Sequence, residues 1–356
     1  MKNYLRDSRF VGSLFFAIFS AITLGAQQQT PLVSIVGVGD IMMGTNYPSK
    51  SYLPANGGRD LLSELVPTLR AADITFGNLE GTLLDEGGTV KRCSNPAVCY
   101  AFRSPESYVN HLTEAGFDMV SIANNHTGDF GAEGRRRTKA TLDAAGIAYA
   151  GLAGSDETTV VERDGIRYGM VAFAPNVGTV DVRNIARAKE LVSELAQRSD
   201  IVIVSFHGGA EGAKNQRVPR KTETYYGENR GDVHKFAHAV VDAGADVVFG
   251  HGPHVTRAAE LYKGRFIIYS LGNFCTYGRF NLRDVAGYAP VIEVVTTPTG
   301  EFVHGQITPI YQQKTHGPKI DPQRRATKKL KELSELDFPE SKLIIEEDGF
   351  IGRSYE

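Results

Sequence analysis

Short runs of apolar, largely β-branched residues alternate along most of the chain with stretches of helical periodicity. Six of the apolar runs end in polar residues: 32–40, 73–80, 118–126, 200–211, 245–254 and 265–274. The stretches between them have helical patterns, and several end in glycine, as helix C-termini often do: 59–72, 104–116, 131–146, 186–199 and 231–244. Strand–helix alternation of this kind predicts an α/β fold built on a buried sheet.

Two further pairs of runs have the pattern of antiparallel hairpins. Residues 158–163 and 166–175 flank Asp164-Gly165, a strong turn signal, and residues 289–300 and 301–312 meet at another glycine turn. The chain after these hairpins is charged and weakly amphipathic. We therefore expect one domain over residues 31–312 and a charged helical extension over residues 313–356, with residues 327–336 as a surface helix.

The first 26 residues have the pattern of a secretory signal peptide. Three basic residues precede the apolar run 11–25, and a polar segment follows Ala26. The run is shorter than the ~20 residues that a membrane-spanning helix needs. We expect cleavage near Ala26; retention as an N-terminal anchor is the alternative. Either way, the domain is exported to the periplasm or to the extracytoplasmic face of the cell membrane.

Export changes the interpretation of the cysteines. Cys93 and Cys99 flank an Asn-Pro turn, and in an oxidising compartment this spacing favours a small disulfide-closed loop. A metal-binding pair is the alternative, but no other cysteine or histidine is near in sequence. Cys275 is left over and is expected to be a buried thiol.

The overall composition excludes few functions. The chain has 356 residues, of which 42% are hydrophobic, which is ample for a substantial core. Its formal net charge is −2, so no global field favours nucleic acid as a partner.

Polar side chains occur at the C-terminal end of every one of the six apolar runs. In open α/β sheets the loops at this edge converge on one crevice, where ligands bind. Carboxylate, amide and imidazole together suit Zn²⁺, Mn²⁺ or Fe²⁺. The residues, in chain order, are Asp40, Asn78, Glu80, Asn124, Asn125, His126, His207, Glu211, His251, His254 and Asn273.

Most of these residues also have an ordinary structural explanation when taken singly. Asp40 could cap a turn, Glu80 could be a solvated rim residue, His207 a hydrogen-bonded core histidine, and Asn273 a strand-end turn residue. Their recurrence at one position of the strand pattern favours a shared site that binds one or two divalent ions.

Other polar groups are interpreted as surface features. His234 and His238 have helical i, i+4 spacing, but no acidic partner of the H-E-x-x-H kind accompanies them. They are therefore expected to be a surface pair. The run 134–137 (GRRR) is either a solvated helix face or a contact for an anionic substrate.

Six ordered motifs resemble a known family. GDIMMG, GNLEG, ANNHTGDFG, SFHGGAE, GHGPHV and SLGNF resemble the signatures of bacterial CapA-type (poly-γ-glutamate) capsule-biosynthesis proteins, from about Val33 to about Asn273. That family is similar in turn to calcineurin-like metallophosphoesterases. The resemblance implies a four-layer αββα sandwich with a metal centre.

The resemblance also implies roles for the polar residues. Asp40 resembles the first metal-ligand aspartate, Glu80 the bridging carboxylate, and Asn125 with His126 the pair in which the amide binds metal and the imidazole faces the substrate. His207 resembles the isolated ligand histidine, and His251 with His254 the closing pair. Asn78, Asn124 and Asn273 are expected to support these ligands or to bind substrate.

The sequence departs from the phosphoesterase pattern at three points. Met42 stands where the Asp-x-His motif has histidine, Glu80 replaces the bridging aspartate, and the closing pair is spaced His-Gly-Pro-His. These departures leave open whether the site is mononuclear or dinuclear.

The implied chemistry is metal-assisted hydrolysis in capsule or envelope polymer biosynthesis. His126 would act on the leaving group, and Glu211 would either orient His207 or serve as a general base. The expected partners are an anionic envelope polymer or its precursor, and membrane-bound polymer-synthesis machinery. The alternative is a non-catalytic envelope assembly component that binds an anionic polymer.

Overall fold

The computed structural model describes residues 31–93 and 99–354. The predicted signal peptide therefore lies outside the described residues. Within them, no helix has both the length and the apolar character needed to cross a membrane.

Twenty strands and six α-helices make up the described chain. The helices are α1 (Val66–Arg70), α2 (Val109–Ala115), α3 (Gly131–Ala145), α4 (Ile185–Ala196), α5 (Val233–Asp242) and α6 (Arg325–Asp337). The strands are β1 (Val33–Met42), β2 (Ile74–Leu79), β3 (Thr82–Leu83), β4 (Arg103–Ser104), β5 (Met119–Ser121), β6 (Ala148–Ala150), β7 (Thr158–Arg163), β8 (Ile166–Phe173), β9 (Ile201–His207), β10 (Glu223–Tyr225), β11 (Glu228–Gly231), β12 (Val247–His251), β13 (Ala259–Tyr262), β14 (Arg265–Ile268), β15 (Asn273–Thr276), β16 (Tyr288–Thr296), β17 (Phe302–Tyr311), β18 (Lys319–Ile320), β19 (Leu343–Ile345) and β20 (Phe350–Arg353).

Two large sheets organise these strands. The ten-stranded sheet has the order β19-β20-β17-β16-β1-β2-β5-β6, with β15 pairing to β1 and β18 to β17. The six-stranded sheet has the order β13-β14-β12-β9-β8-β7. The strands that carry the predicted site are parallel to one another within each sheet, so their carboxyl ends lie at one edge.

The two sheets pack face to face, and helices cover their outer faces. Between the sheets, the rings of Phe76 and Phe249 stack with centroids 5.5 Å apart. Leu112 of α2 and Leu142 of α3 pack on the outer face of the ten-stranded sheet, and α4 and α5 pack on that of the six-stranded sheet. The fold is the predicted four-layer αββα sandwich.

The predicted strand 265–274 is wrong as a single element, because it is divided between the two sheets. Its first half is β14 of the six-stranded sheet, whereas Asn273 begins β15, which pairs with β1 of the ten-stranded sheet. Gly272 lies between them with φ +67°, a left-handed conformation that glycine adopts at little cost. The chain crosses from one sheet to the other at this residue.

The predicted helix 59–72 is also shorter than expected. The α-helix begins only at Val66, with Pro67 in its first turn, and the preceding residues form turns. Proline has no N–H to donate, so it is tolerated in the first turn of a helix and not in its interior.

The segment 313–356 contains the expected helix, and it also completes the sandwich. Strand β20 pairs with β17 and β19 pairs with β20, while Leu330 of α6 is buried in the core between the sheets. The segment belongs to the same compact unit as the rest of the chain from Pro31 onward. No structural break coincides with the boundary drawn after residue 312, because the apolar face of α6 is buried against both sheets.

Candidate metal centre

The strand registers place the predicted site residues opposite one another in neighbouring strands of each sheet. Asp40 lies opposite Asn78 of β2 on one side and opposite Asn273 of β15 on the other. In the second sheet, His207 at the end of β9 lies opposite His251 at the end of β12. Irregular register on both sides of Asp40 marks a β-bulge, a feature often found beside functional sites.

Asp40 is fully buried and fully hydrogen-bonded. Its Oδ1 accepts a hydrogen bond from Nδ2 of Asn78 at 2.8 Å, and its Oδ2 lies 2.8 Å from Nδ1 of His254. His251 Nδ1 lies 3.4 Å from Oδ1. Burial alone would raise the pKa of Asp40, but the adjacent imidazoles of His251 and His254 outweigh it and hold that pKa well below its ordinary value.

Glu80 is equally buried but has no hydrogen-bond donor. Neither of its carboxylate oxygens has a partner among the described residues. Three imidazole nitrogens surround Oε1: His254 Nε2 at 3.5 Å, and His126 Nε2 and His207 Nε2 at 3.7 Å each. Burial raises the pKa of Glu80 well above its ordinary value. The described residues therefore supply no hydrogen bond that would hold this carboxyl ionised.

The histidines of the second sheet have free nitrogens as well. Both ring nitrogens of His207 and of His251 are buried, and neither ring makes a hydrogen bond among the described residues. Burial is the main cause that lowers the pKa of His207 well below its ordinary value, so its imidazole is neutral near pH 7. Neutral imidazole is the form that binds metal ions.

His254 occupies an unusual backbone position between the two carboxylates. Its φ is +55°, in the left-handed region, and Asn273 Nδ2 donates to its carbonyl oxygen at 3.1 Å. Burial acts to lower the pKa of His254, but Glu80 and Asp40 outweigh it and raise that pKa to about 10. A strained residue held by its neighbours in this way is typical of a functional site.

Gly252 allows the loop after β12, which carries His254, to approach His207. It has φ +106°, and a Cβ at this position would lie 3.1 Å from Nδ1 of His207 and 3.0 Å from the backbone nitrogen of Gly208. A larger residue would push the loop, and His254 with it, away from the second sheet.

The three predicted asparagines form supporting contacts. Asn124 Nδ2 donates to Oδ1 of Asn78 at 3.1 Å and to the carbonyl oxygen of Leu79 at 2.9 Å. Its own Oδ1 accepts from the backbone N–H of His126 at 3.0 Å. A chain of amides thus connects Asp40, through Asn78 and Asn124, to the loop that carries Asn125 and His126. Asn125 Oδ1 is buried without a partner among the described residues.

His126 is oriented by residues that the sequence analysis did not identify. Asp129 Oδ2 lies 2.7 Å from Nδ1 of His126, and Lys91 Nζ lies 2.5 Å from Oδ1 of the same carboxylate. The ring of Phe102 packs on the imidazole with centroids 4.3 Å apart. Asp129 stands three residues after His126, a spacing that could have identified it. Lys91 and Phe102 are brought in by the fold.

Glu211 is bonded to Arg230 rather than to His207. Its carboxylate Oε1 accepts a hydrogen bond from Nη2 of Arg230 at 2.8 Å, and it makes no hydrogen bond to His207. Glu211 therefore does not orient His207 by a direct hydrogen bond, and the alternative, that it serves as a general base, stays a prediction. The chain turns at Gly209 (φ +82°) and Gly212 (φ +90°), and Arg230, itself buried, holds the carboxylate.

The donor atoms fit a divalent metal ion. Glu80, His207 and His254 each offer one ligand atom, and these atoms lie within 4.8 Å of one another. Buried polar atoms are costly unless paired, and the crevice leaves a carboxylate, an amide oxygen and two imidazoles unpaired in one place. Oxygen and imidazole donors of this kind suit Zn²⁺, Mn²⁺ or Fe²⁺.

Comparison with known proteins connects this site to a family. A model of the family described as bacterial capsule synthesis protein PGA_cap matches residues 34–277, a range that holds every residue of the crevice. The chain belongs to this family.

Two curated relatives are named for capsule biosynthesis and for PGA biosynthesis. The capsule biosynthesis protein CapA of Bacillus anthracis is 30% identical over 258 residues, covering 67% of this chain and 58% of the relative. The PGA biosynthesis protein CapA of Bacillus subtilis is 26% identical over 288 residues, covering 73% of this chain and 70% of the relative. The match thus spans less than two thirds of the B. anthracis protein.

A solved structure supports the fold. A phosphatase from Mycoplasma pneumoniae superposes with a TM-score of 0.51 at 15% identity, covering 83% of this chain and 96% of that one. The similarity confirms the metallophosphoesterase-type sandwich. At this identity it bears on the fold and not on the activity.

The cysteine prediction is confirmed. Cys93 and Cys99 form a disulfide, and Cys275 is a buried free thiol.

Proposed function

We propose that this chain is an exported metal-dependent hydrolase that acts on an anionic envelope polymer of the poly-γ-glutamate type, or on its precursor. One observation carries the proposal: the buried carboxylate of Glu80 and the buried imidazoles of His207 and His251 have no partner among the described residues, yet lie at one crevice. A fold gains nothing from leaving such groups unpaired unless a ligand completes them.

The residues that would hold the metal are Asp40, Glu80, Asn125, His207, His251 and His254. When bound, a divalent ion supplies Lewis acidity that polarises a scissile phosphoryl or carbonyl group and activates water. Whether one or two ions bind depends on whether these six side chains surround one metal position or are shared between two. Met42 is buried at the place where the phosphoesterase motif has another histidine, so the chain offers fewer imidazoles around Asp40.

His126 is the residue that would move a proton. Its Nδ1 faces Asp129, which fixes the ring and favours the proton on that nitrogen. Nε2 is then the atom that exchanges a proton or hydrogen bond with the substrate, 3.7 Å from Glu80. Burial is the main cause that lowers the pKa of His126, so the neutral ring, which can accept a proton at Nε2, is favoured.

Export is supported by the disulfide and by the relatives. Disulfides persist in oxidising compartments and are rare in the cytosol, and the Cys93–Cys99 bridge is present here. Relatives named for capsule biosynthesis and for PGA biosynthesis also favour a role at the cell envelope. The partners we propose are the anionic polymer and the membrane-bound machinery that makes it.

The test combines metal content with turnover. Purified full-length protein and the variant His126→Ala would be analysed for bound metal and assayed on a phosphodiester and on γ-glutamyl and peptidoglycan amides. We expect His126→Ala to keep its metal and to lose turnover. His304→Ala, a histidine on β17 outside the crevice, is the matched control and should behave as the unmodified protein. Full activity in His126→Ala would contradict the proposed role.

A non-catalytic role has one observation in its favour. The absence of a histidine at position 42 reduces the donor set that a two-metal phosphoesterase would need. In that case the crevice would bind the anionic polymer through metal and through Lys91, whose ammonium is partly exposed beside Asp129. Tight polymer binding with no turnover on any of the three substrate types would favour this function over the first.

A further inference from the structure

A second group of potential ligands lies outside the crevice. His234 and His238 are four residues apart on α5, so they share a helix face, and their ring centroids are 4.1 Å apart. Glu260 of β13 faces them from the edge of the six-stranded sheet and is 4% exposed. One nitrogen or oxygen from each residue lies within 4.8 Å of the other two.

We propose that His234, His238 and Glu260 form a second divalent transition-metal site, distinct from the crevice and suited to Zn²⁺. Two imidazoles and one carboxylate are a common zinc ligand set, with a solvent molecule as the fourth ligand. Histidines spaced i, i+4 on a helix present their rings to one ion, as in helical zinc motifs. The fold supplies the acidic ligand that is missing from the helix itself.

One pair of the proposed ligands is already near the spacing that a zinc site needs. His238 Nε2 lies 2.8 Å from Glu260 Oε1. Zinc–ligand bonds of about 2.0–2.2 Å in a tetrahedron place neighbouring donors roughly 3.3 Å apart. The two side chains would therefore separate by about half an ångström, and the hydrogen bond between them would be replaced by two metal–ligand bonds.

The surroundings already orient the ligands. Tyr269 donates its hydroxyl hydrogen to Oε1 of Glu260 at 2.6 Å. Tyr262 stacks on His238 with centroids 3.7 Å apart, and Phe338 stacks on His234 at 5.8 Å. Outer hydrogen bonds and packed rings that fix ligand orientation are typical of protein metal sites.

In a purely structural explanation, His234 packs on Tyr269 and Phe338 but takes no part in pairing Glu260. The hydroxyl of Tyr269 and the imidazole of His238 are enough to pair the buried carboxylate of Glu260. A hydrogen-bonded network therefore needs only two of the three residues, whereas a metal site needs His234 as well. His234 is the residue that distinguishes the two explanations.

The site would join the helical layer to the edge of the sheet. Strand β13 is also held by α6 and the chain after it: Ser334 and Ser341 accept hydrogen bonds from the backbone N–H groups of Ala259 and Leu261, each at 2.9 Å. A metal bridge between α5 and β13 would tie three elements at one corner of the molecule. We therefore assign it a stabilising role rather than a catalytic one.

The experiment isolates the second site by removing the first. Full-length protein carrying Glu80→Gln and His207→Gln would be freed of metal with a chelator and titrated with Zn²⁺ by calorimetry and with Co²⁺ by visible absorption. We expect one ion to remain bound, with the intense absorption of tetrahedral Co²⁺. Adding His234→Gln should weaken this binding by at least tenfold, whereas adding His304→Gln, a histidine remote from both clusters, should leave it unchanged.

Two results would overturn the proposal. One is the absence of any bound ion in the Glu80→Gln, His207→Gln protein, and the other is equal affinity with and without His234→Gln. If the double substitution does not fold, the unmodified protein is compared with His234→Gln alone. The proposal then requires one fewer tightly bound ion in the variant, with unchanged turnover, and equal metal content contradicts it.

Discussion

The crevice and the cluster formed by His234, His238 and Glu260 both contain a buried carboxylate beside imidazoles. They differ in whether that carboxylate is hydrogen-bonded. In the crevice, Glu80 is buried among imidazoles with no hydrogen bond to either oxygen. In the cluster, Glu260 is equally enclosed but accepts hydrogen bonds from Tyr269 and His238. Leaving a buried polar group unpaired costs free energy, so the crevice depends on a ligand for its stability. The carboxylate of the cluster is hydrogen-bonded without one, so a metal ion there would add to the stability of the fold rather than be required for it.

The largest effect is expected from Glu80→Gln. This change removes the charge of the carboxylate that the imidazoles surround, so metal should be lost from the crevice. Turnover should fall by more than the roughly 10–100-fold that loss of a supporting residue costs. Elemental analysis and activity assays measure both, and metal retained at the same affinity would show that Glu80 is not a ligand.

A smaller effect on activity, without metal loss, is expected from Asp129→Asn. The amide can no longer hold the His126 ring with its proton on Nδ1, so proton transfer should weaken. Proton transfer by a positioned side chain contributes on the order of 10²–10⁴-fold, and we expect a loss at the low end of this range. The bound metal should be unchanged, and the pH profile should shift. An unchanged rate and pH profile would rule out the positioning role.

A lesser loss is expected from Asn78→Ala. Its amide donates to Asp40 and accepts from Asn124, so it links a proposed ligand to the His126 loop. Metal affinity should fall by roughly 10–100-fold, as for other supporting residues. Asn110→Ala, at an exposed position of α2, is the control and should bind metal as before. Equal affinity in the two variants would place Asn78 outside the support of the site.

The smallest effect on turnover is expected from His238→Ala. The change leaves Glu260 with one donor fewer, so the free energy of unfolding should fall by about 1–3 kcal/mol. Turnover at the crevice should not change. Chemical denaturation and the hydrolase assay measure the two, with Lys235→Ala on the exposed side of α5 as the control. A large loss of turnover would mean that the two regions are coupled.

Much of the site was predictable because strand ends in a parallel sheet share one edge. That rule placed Asp40, His207 and His251 together, and the registers agree with it. It failed for Asn273, which was predicted to end a strand. Asn273 instead begins β15 of the ten-stranded sheet, and from there its side chain donates to the carbonyl oxygen of His254. The rule did not predict the partner of Glu211, whose carboxylate is bonded to Arg230.

The amino-acid pattern was sufficient for the alternation of strands and helices, the hairpin at Asp164-Gly165 and the disulfide, since each depends on periodicity or on residues close in sequence. The four-layer sandwich was implied only by the family resemblance. Contacts between distant segments required the folded chain. Lys91 reaches Asp129, and Glu260 reaches His238, across separations that no local pattern encodes. Which polar groups are left unpaired depends on the position of every neighbour, and so it emerges only when the layers are packed.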